Sequence, residues 1–270
     1  MPTMDSQGFD SSRCSDMPQN ILILGGTTEA RILAGRVAAR EGVDVILSLA
    51  GRTAAPAVQP VPTRRGGFGG VEGLIEYLRA AHIDLLIDAT HPYAARISAN
   101  AVSAARQTRT PLLAIRRPAW TPVPGDCWTE VDDVAHAVDA LDDGSRRRVF
   151  LALGRQDLEP FTRAPQHHYL IRSVDPVEPP LSVPDARYVL ARGPFEEASD
   201  RELLRSNAID VVIAKNSGGA ATYSKIAAAR SLGVRVVMIR RPQESECATV
   251  ETVEEAVAWL DHQLTLDRGV

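Results

Sequence analysis

Asn20-Ile21-Leu22-Ile23-Leu24 runs directly into Gly25-Gly26-Thr27-Thr28-Glu29-Ala30. The first stretch is an apolar run of strand length, ended by two adjacent glycines. Behind the turn, apolar residues recur at Ala30, Leu33, Ala34, Val37 and Ala38, which predicts a helix over 28–40 that Gly42 stops. A buried strand, a glycine turn and a helix in direct succession form the opening unit of a parallel sheet. The turn also has a chemical use. Adjacent glycines let the backbone approach a phosphate, and the helix start offers N–H groups and partial positive charge. Gly25, Gly26, Thr27, Thr28 and Glu29 are therefore candidate nucleotide-binding residues. The run departs from G-x-G-x-x-G, because Ala30 stands at the third glycine position; it is itself small enough for close packing.

The same alternation continues outward. Strands are predicted over 44–49, 84–88 and 111–115, and helices over 71–81 and 94–107. The segment 117–126 holds Pro118, Pro122, Pro124 and Gly125 and reads as a linker. Beyond it, helices are expected over 131–141, 196–207, 225–232 and 253–263. Strands are expected over 149–153, 169–174, 188–191, 210–214 and 234–239. The expected architecture is α/β: two Rossmann-like open parallel-sheet domains facing across a cleft. The expected division is a disordered leader over 1–18, a dinucleotide-binding domain over 19–120, and a second domain over 121–270 that completes the substrate cleft.

Composition bounds the function. The chain has 270 residues, 44% hydrophobic and 24% charged, with net charge -4. This excludes wholesale disorder and argues against nonspecific nucleic-acid binding. Cys14, Cys127 and Cys247 are scattered, which fits neither a disulfide framework nor a metal site. Apolar runs are far shorter than the ~18 residues of a membrane span, and residues 1–18 lack a signal-peptide pattern. A cytoplasmic protein with no metal, membrane or nucleic-acid partner is expected, as a monomer or weak homo-oligomer.

Chemistry gathers where predicted strands end. An NAD site places a carboxylate after the second strand. Here Ser48 and Arg52 stand there, which suits the 2′-phosphate of NADPH. Arg64-Arg65-Gly66-Gly67-Phe68-Gly69-Gly70 is costly in entropy as a plain loop, and a backbone pressed against a ligand through Gly67, Phe68 and Gly69 justifies it. The third long strand delivers Asp88-Ala89-Thr90-His91-Pro92-Tyr93. Asp88, His91 and Tyr93 are candidates for positioning or proton supply and Thr90 for substrate contact, although each alone also reads as a cap or packing residue. In the second half, Arg155, Arg192, Lys215, Asn216 and Ser217 follow predicted strands. With Arg116 and Arg117 they supply a basic edge for a substrate carrying several carboxylates or phosphates. Only two of the 30 basic residues are lysines, Lys215 and Lys225, and both fall in this region. Tyr223 and Lys225 lie two apart, not the four of a short-chain dehydrogenase.

Taken together, the stretches at 25–30, 48–52, 64–70, 88–94, 116–120 and 215–219 resemble the precorrin-6A reductase family over about 20–259. The resemblance implies an enzyme of cobalamin biosynthesis that reduces a carbon–carbon double bond of the precorrin-6A macrocycle, giving precorrin-6B, with NADPH as cofactor. The basic edge, Lys225 included, then meets the acetates and propionates of that tetrapyrrole. Two alternatives remain open here: a cobalt-precorrin-6A reductase using NADH, and a non-catalytic NADP-binding regulatory module.

Overall fold

The computed structural model describes residues 18–51, 57–142, 144–243 and 245–267, with side chains to residue 264. In chain order, the strands are β1 (Gln19–Leu24), β2 (Val43–Leu49), β3 (Thr63–Arg65), β4 (Leu85–Asp88), β5 (Leu112–Ile115), β6 (Trp128–Val131), β7 (Arg148–Ala152), β8 (His168–Ser173), β9 (Ala186–Leu190), β10 (Val211–Lys215), β11 (Arg235–Ile239) and β12 (Ala248–Val250). The α-helices are α1 (Thr28–Ala38), α2 (Val71–Ala80), α3 (Ala95–Thr108), α4 (Val134–Asp139), α5 (Glu197–Ser206), α6 (Ser224–Leu232) and α7 (Val253–Asp267).

Two compact units result. The first holds a six-stranded parallel sheet in the order β12-β5-β4-β1-β2-β3. Read from the other edge, this is the 3-2-1-4-5-6 order of a dinucleotide-binding sheet, with its switch point between β1 and β4. Ile21, Leu22 and Ile23 have no exposed surface, because β1 is central and covered on both faces. Ile21 and Ile23 pack with Leu33 and Val37 of α1 and with Ala256 and Leu260 of α7. Leu22 and Leu24 face Leu74 and Leu78 of α2 and Ala101 of α3.

The second unit has a parallel sheet in the order β6-β11-β10-β7-β8-β9. Relative to its own first long strand, β7, it repeats the order of the first sheet. In both, the sixth place is taken by a short strand from outside the run that builds the other five.

The division departs from the expected break after residue 120. The first unit comprises the described residues up to 51, 57–116 and those from 245 on, and the second runs from Arg117. Residues 245–267 return to the first unit because β12 pairs with β5 and α7 packs on α1. The pairs Arg36–Glu254 and Arg40–Asp261, each 2.7 Å, fasten that helix at the surface. A second correction concerns 131–141. Trp128–Val131 is a strand, and the helix begins only at Val134, because the Asp133 side chain caps it by accepting the His136 N–H at 2.9 Å. The expected leader lies outside the described residues up to Met17.

Candidate functional site

At the switch point of the first sheet, Leu24 is in register with both Ser48 and Asp88. Three parallel strands thus deliver their following residues to one edge. Gly25 is required by packing, since a Cβ there would lie 2.6 Å from Leu47 Cδ1. Gly26 adopts φ +114 with open space above it, a conformation that favours glycine and leaves the backbone approachable. Thr27 caps α1 by accepting the Ala30 N–H at 3.1 Å, and its hydroxyl donates to Ala89 O at 2.7 Å. That second bond crosses the switch point and ties the turn to the end of β4. Thr28 is exposed and Glu29 half-buried in the first turn of α1.

The end of β2 is organised by a residue the sequence reading did not single out. Arg64, on β3, is the register partner of Ser48. Its Nη1 donates to Gly66 O at 2.6 Å and to Ser48 Oγ at 3.3 Å, and its Nη2 donates to Gly67 O at 2.7 Å. The guanidinium carbon sits 3.7 Å from the Phe68 ring centroid. One face of Phe68 is therefore already taken. Gly67 and Gly69 are exposed, Gly69 with φ +86. Gly73 lets the loop close, since a Cβ there would lie 1.7 Å from Phe68 O. Arg52 lies outside the described residues.

Asp88 is buried and committed. Arg116 Nη2 reaches its Oδ2 at 2.5 Å, and Thr90 donates to Oδ1 through Oγ1 at 2.6 Å and through its backbone N–H at 3.1 Å. Ser98 joins the cluster, 3.2 Å from Arg116 Nη2. Burial pushes the Asp88 carboxyl up, but the Arg116 charge and the hydrogen bonds from Arg116, Ser98 and Thr90 outweigh it and hold it below the ordinary carboxylate range. Asp88 therefore stays ionised and has no proton to give. Arg116 and Thr90, expected to meet substrate, are spent on this network. His91 is exposed; its Nδ1 accepts the Tyr93 backbone N–H at 3.3 Å, and the two rings lie 5.6 Å apart. With Nδ1 accepting, the neutral ring carries its proton on Nε2.

In the second unit, two stretches picked out separately in the sequence prove to hold each other. Asn216 Oδ1 accepts the Trp120 N–H and its Nδ2 donates to Trp120 O, both at 2.8 Å. Trp120 Nε1 donates to Gly219 O at 3.0 Å, and Arg117 Nε donates to Ser217 O at 2.7 Å. Arg241 closes the clasp, donating to Asn216 O and Arg117 O at 2.8 Å each. At Gly218, φ is +65 and a Cβ would lie 2.2 Å from Pro118 O, so glycine is obligatory. Arg117, Asn216 and Ser217 are thus part of a clasp. The sequence expectation had placed them on substrate.

Lys225 is also displaced from that expectation. It is 4% exposed, donates to Thr222 O at 2.5 Å and faces the Trp120 ring at 4.8 Å. Burial first, and the nearby Arg172 second, lower its pKa to about 7, with Asp200 opposing. Arg172 and Asp200 form a buried pair at 2.5 Å, and Asp200 also accepts from Ser224 Oγ at 2.6 Å. Lys215 pairs with Asp157 at 2.6 Å. Arg155 and Arg192 are exposed, following β7 and β9 at the same edge of the sheet.

Comparison with known proteins gives a consistent result. Residues 20–261 match the family model described as "Precorrin-6x reductase CbiJ/CobK". A precorrin-6A reductase of Sinorhizobium sp is 57% identical over 95% of this chain and 97% of its own length. One from Rhodobacter capsulatus is 53% identical over 93% and 99%. A solved structure, "CobK precorrin-6A reductase", aligns with TM-score 0.86 and 52% identity, covering 90% of this chain and 96% of the other.

Proposed function

This chain belongs to the precorrin-6x reductase family, and from that premise we propose that it reduces precorrin-6A with NADPH bound at the β1–α1 turn. Its reaction is that of a precorrin-6A reductase in cobalamin biosynthesis, an oxidoreductase step on a tetrapyrrole macrocycle. The observation that carries the cofactor assignment is the edge of the first sheet. A glycine turn with open space at Gly26 stands at the switch point of a 3-2-1-4-5-6 sheet. Ser48, not a carboxylate, stands at the penultimate position of the neighbouring strand, in register with Leu24.

The residues fit a dinucleotide. Gly26 admits a phosphate and the first turn of α1 supplies N–H groups, while Thr27 holds the turn against β4. When bound, the nicotinamide supplies the hydride. The protein's own share is orientation and charge. Arg155 and Arg192 follow strands at one edge of the second sheet and hold the macrocycle's carboxylates. The clasp between Arg117–Trp120 and Asn216–Gly219 fixes the backbone from which Lys215 projects. Asp88 keeps Arg116 in place, and the proton for the second carbon comes from His91 or from water.

Initial rates with precorrin-6A and equal concentrations of NADPH and NADH test this reading. NADPH should give the higher kcat/KM, and deuterium on the nicotinamide C4 should appear at one carbon of the product. Higher kcat/KM with NADH, or label lost to solvent, would overturn it.

A further inference from the structure

Arg172 stands where a sheet has little use for a charge. Strand β8 is buried along its whole length, and Arg172 is 8% exposed within it. Its Nη1 pairs with Asp200 Oδ1 of α5 at 2.5 Å, and Asp200 also accepts from Ser224 Oγ of α6. A buried ion pair adds little to stability that well-packed apolar side chains would not. The guanidinium has a further contact. Its carbon lies 3.8 Å from the Phe195 ring centroid and 5.0 Å from that of Phe150 on β7. Phe195 belongs to the loop between β9 and α5, and from residue 192 to 199 it alone is not exposed. Its backbone N–H donates to Ala221 O at 3.2 Å, and its ring lies against Gly193, where a Cβ would come within 3.3 Å of Cε2.

The same loop carries Arg192. We propose that Arg172 is a positioning residue: through its stack with Phe195 it fixes the 192–195 loop, so that Arg192 is held at the sheet edge ready to meet a substrate carboxylate. The inference rests on the assignment of Arg192 to the macrocycle's carboxylates above, and it adds what makes that arginine effective. Ordering a loop at the moment of binding costs backbone entropy, and a loop already fixed by Phe195 is spared that cost. Asp200 holds the guanidinium in place, and the flat face of an arginine is what the ring requires.

The test uses the full chain and follows KM for precorrin-6A, kcat, and NADPH affinity measured without substrate. Arg172→Ala would strand Asp200 in the interior, so the decisive variants leave a cation beside it. Arg192→Ala should raise KM by about tenfold or more, through loss of a charge-assisted hydrogen bond. Phe195→Ala should raise KM by about threefold or more, with kcat and NADPH affinity within about twofold of wild type. Phe195→Tyr keeps the ring face and should restore KM. Arg172→Lys keeps the charge but loses the flat face, and should raise KM as Phe195→Ala does. The double variant of Phe195→Ala and Arg192→Ala should stay within about twofold of Arg192→Ala alone, because nothing is left to be positioned. Unchanged KM in Phe195→Ala or in Arg172→Lys, or two losses that multiply in the double variant, would overturn the proposal alone. Unchanged KM in Arg192→Ala would overturn the carboxylate assignment itself, and the proposal with it.

Discussion

The two sheets share one strand order, yet their switch points are finished in opposite ways. In the first, β1 ends in Gly25-Gly26, an α-helix follows at once, and the space above Gly26 is open. In the second, β7 ends in Leu153-Gly154-Arg155, and only short 3-10 turns follow, over Arg155–Asp157 and Glu159–Arg163. There Asp157 meets Lys215 from the end of β10, so an internal ion pair stands where the first sheet has open space. Strand order alone therefore does not fix the character of this edge; the residues just after the first strand decide it.

The strongest way to probe the comparison is through what the units have in common. Each holds an arginine paired with a buried aspartate, Arg116–Asp88 and Arg172–Asp200. Removing one partner strands a buried charge, so Asp88→Ala and Asp200→Ala should each lower the unfolding free energy by about 3–5 kcal/mol in denaturant titrations. The Asp88 contribution has a definite pH sign. Its folded pKa lies below the ordinary 3.8, so the stabilisation is present above that value and disappears as pH falls beneath it. In Asp88→Asn the acid limb of the stability curve should flatten there.

Next come the glycines that differ. Gly26→Ala forces a side chain into a left-handed backbone, at a cost of about 1–3 kcal/mol, and should weaken NADPH by roughly tenfold or more. Gly154→Ala sits in an extended conformation near Asp157 Oδ2 and should leave NADPH affinity unchanged. Equal losses in the two variants would erase the distinction between the switch points.

An effect confined to a pH window sharpens the account of the second unit. Lys225 is protonated in the unfolded chain up to about 10.5 and in the folded chain only to about 7. Below 7 the full penalty of burying its charge is felt, and between the two values stability rises with pH. Any advantage of Lys225→Met over wild type should therefore be greatest at or below pH 7 and shrink by up to about 1.4 kcal/mol per pH unit above it. A pH-independent difference would mean that this lysine is not buried as a cation. The smallest effect is expected at His91. A positioned general acid is typically worth ~10²–10⁴-fold, whereas His91→Ala should lower kcat by less than about tenfold if water supplies the proton.

Long elements were legible in the sequence because their burial imposes a period. The run 20–24 and the spacing of Ala30, Leu33, Ala34 and Val37 point to β1 and α1 within a residue or two. The edge strands Thr63–Arg65, Trp128–Val131 and Ala248–Val250 are three or four residues long and half exposed, too short to display alternation. At the site, the glycine turn was visible because backbone geometry selects glycine. Arg64 was hidden among 28 arginines, since only the pairing of β2 with β3 brings it to Ser48. The motif residues of the second half were visible as a group, but the structure divides them: Arg117, Asn216, Ser217 and Lys225 are held within the unit, while Arg155 and Arg192 stay exposed. Sequence cannot tell an Asn216 that grips Trp120 from one that grips a ligand.

The return of β12 and α7 to the first unit bears on how the chain is made. The first sheet lacks its sixth strand, and α1 its covering helix, until residues 245–264 leave the ribosome. At about 5–20 residues per second, the nascent first unit waits on the order of ten seconds while the whole of the second is synthesised. Throughout that interval the open edge of β5 and the bare face formed by Leu33 and Val37 are presented to whatever is near. The N-terminal half is thus made first and completed last.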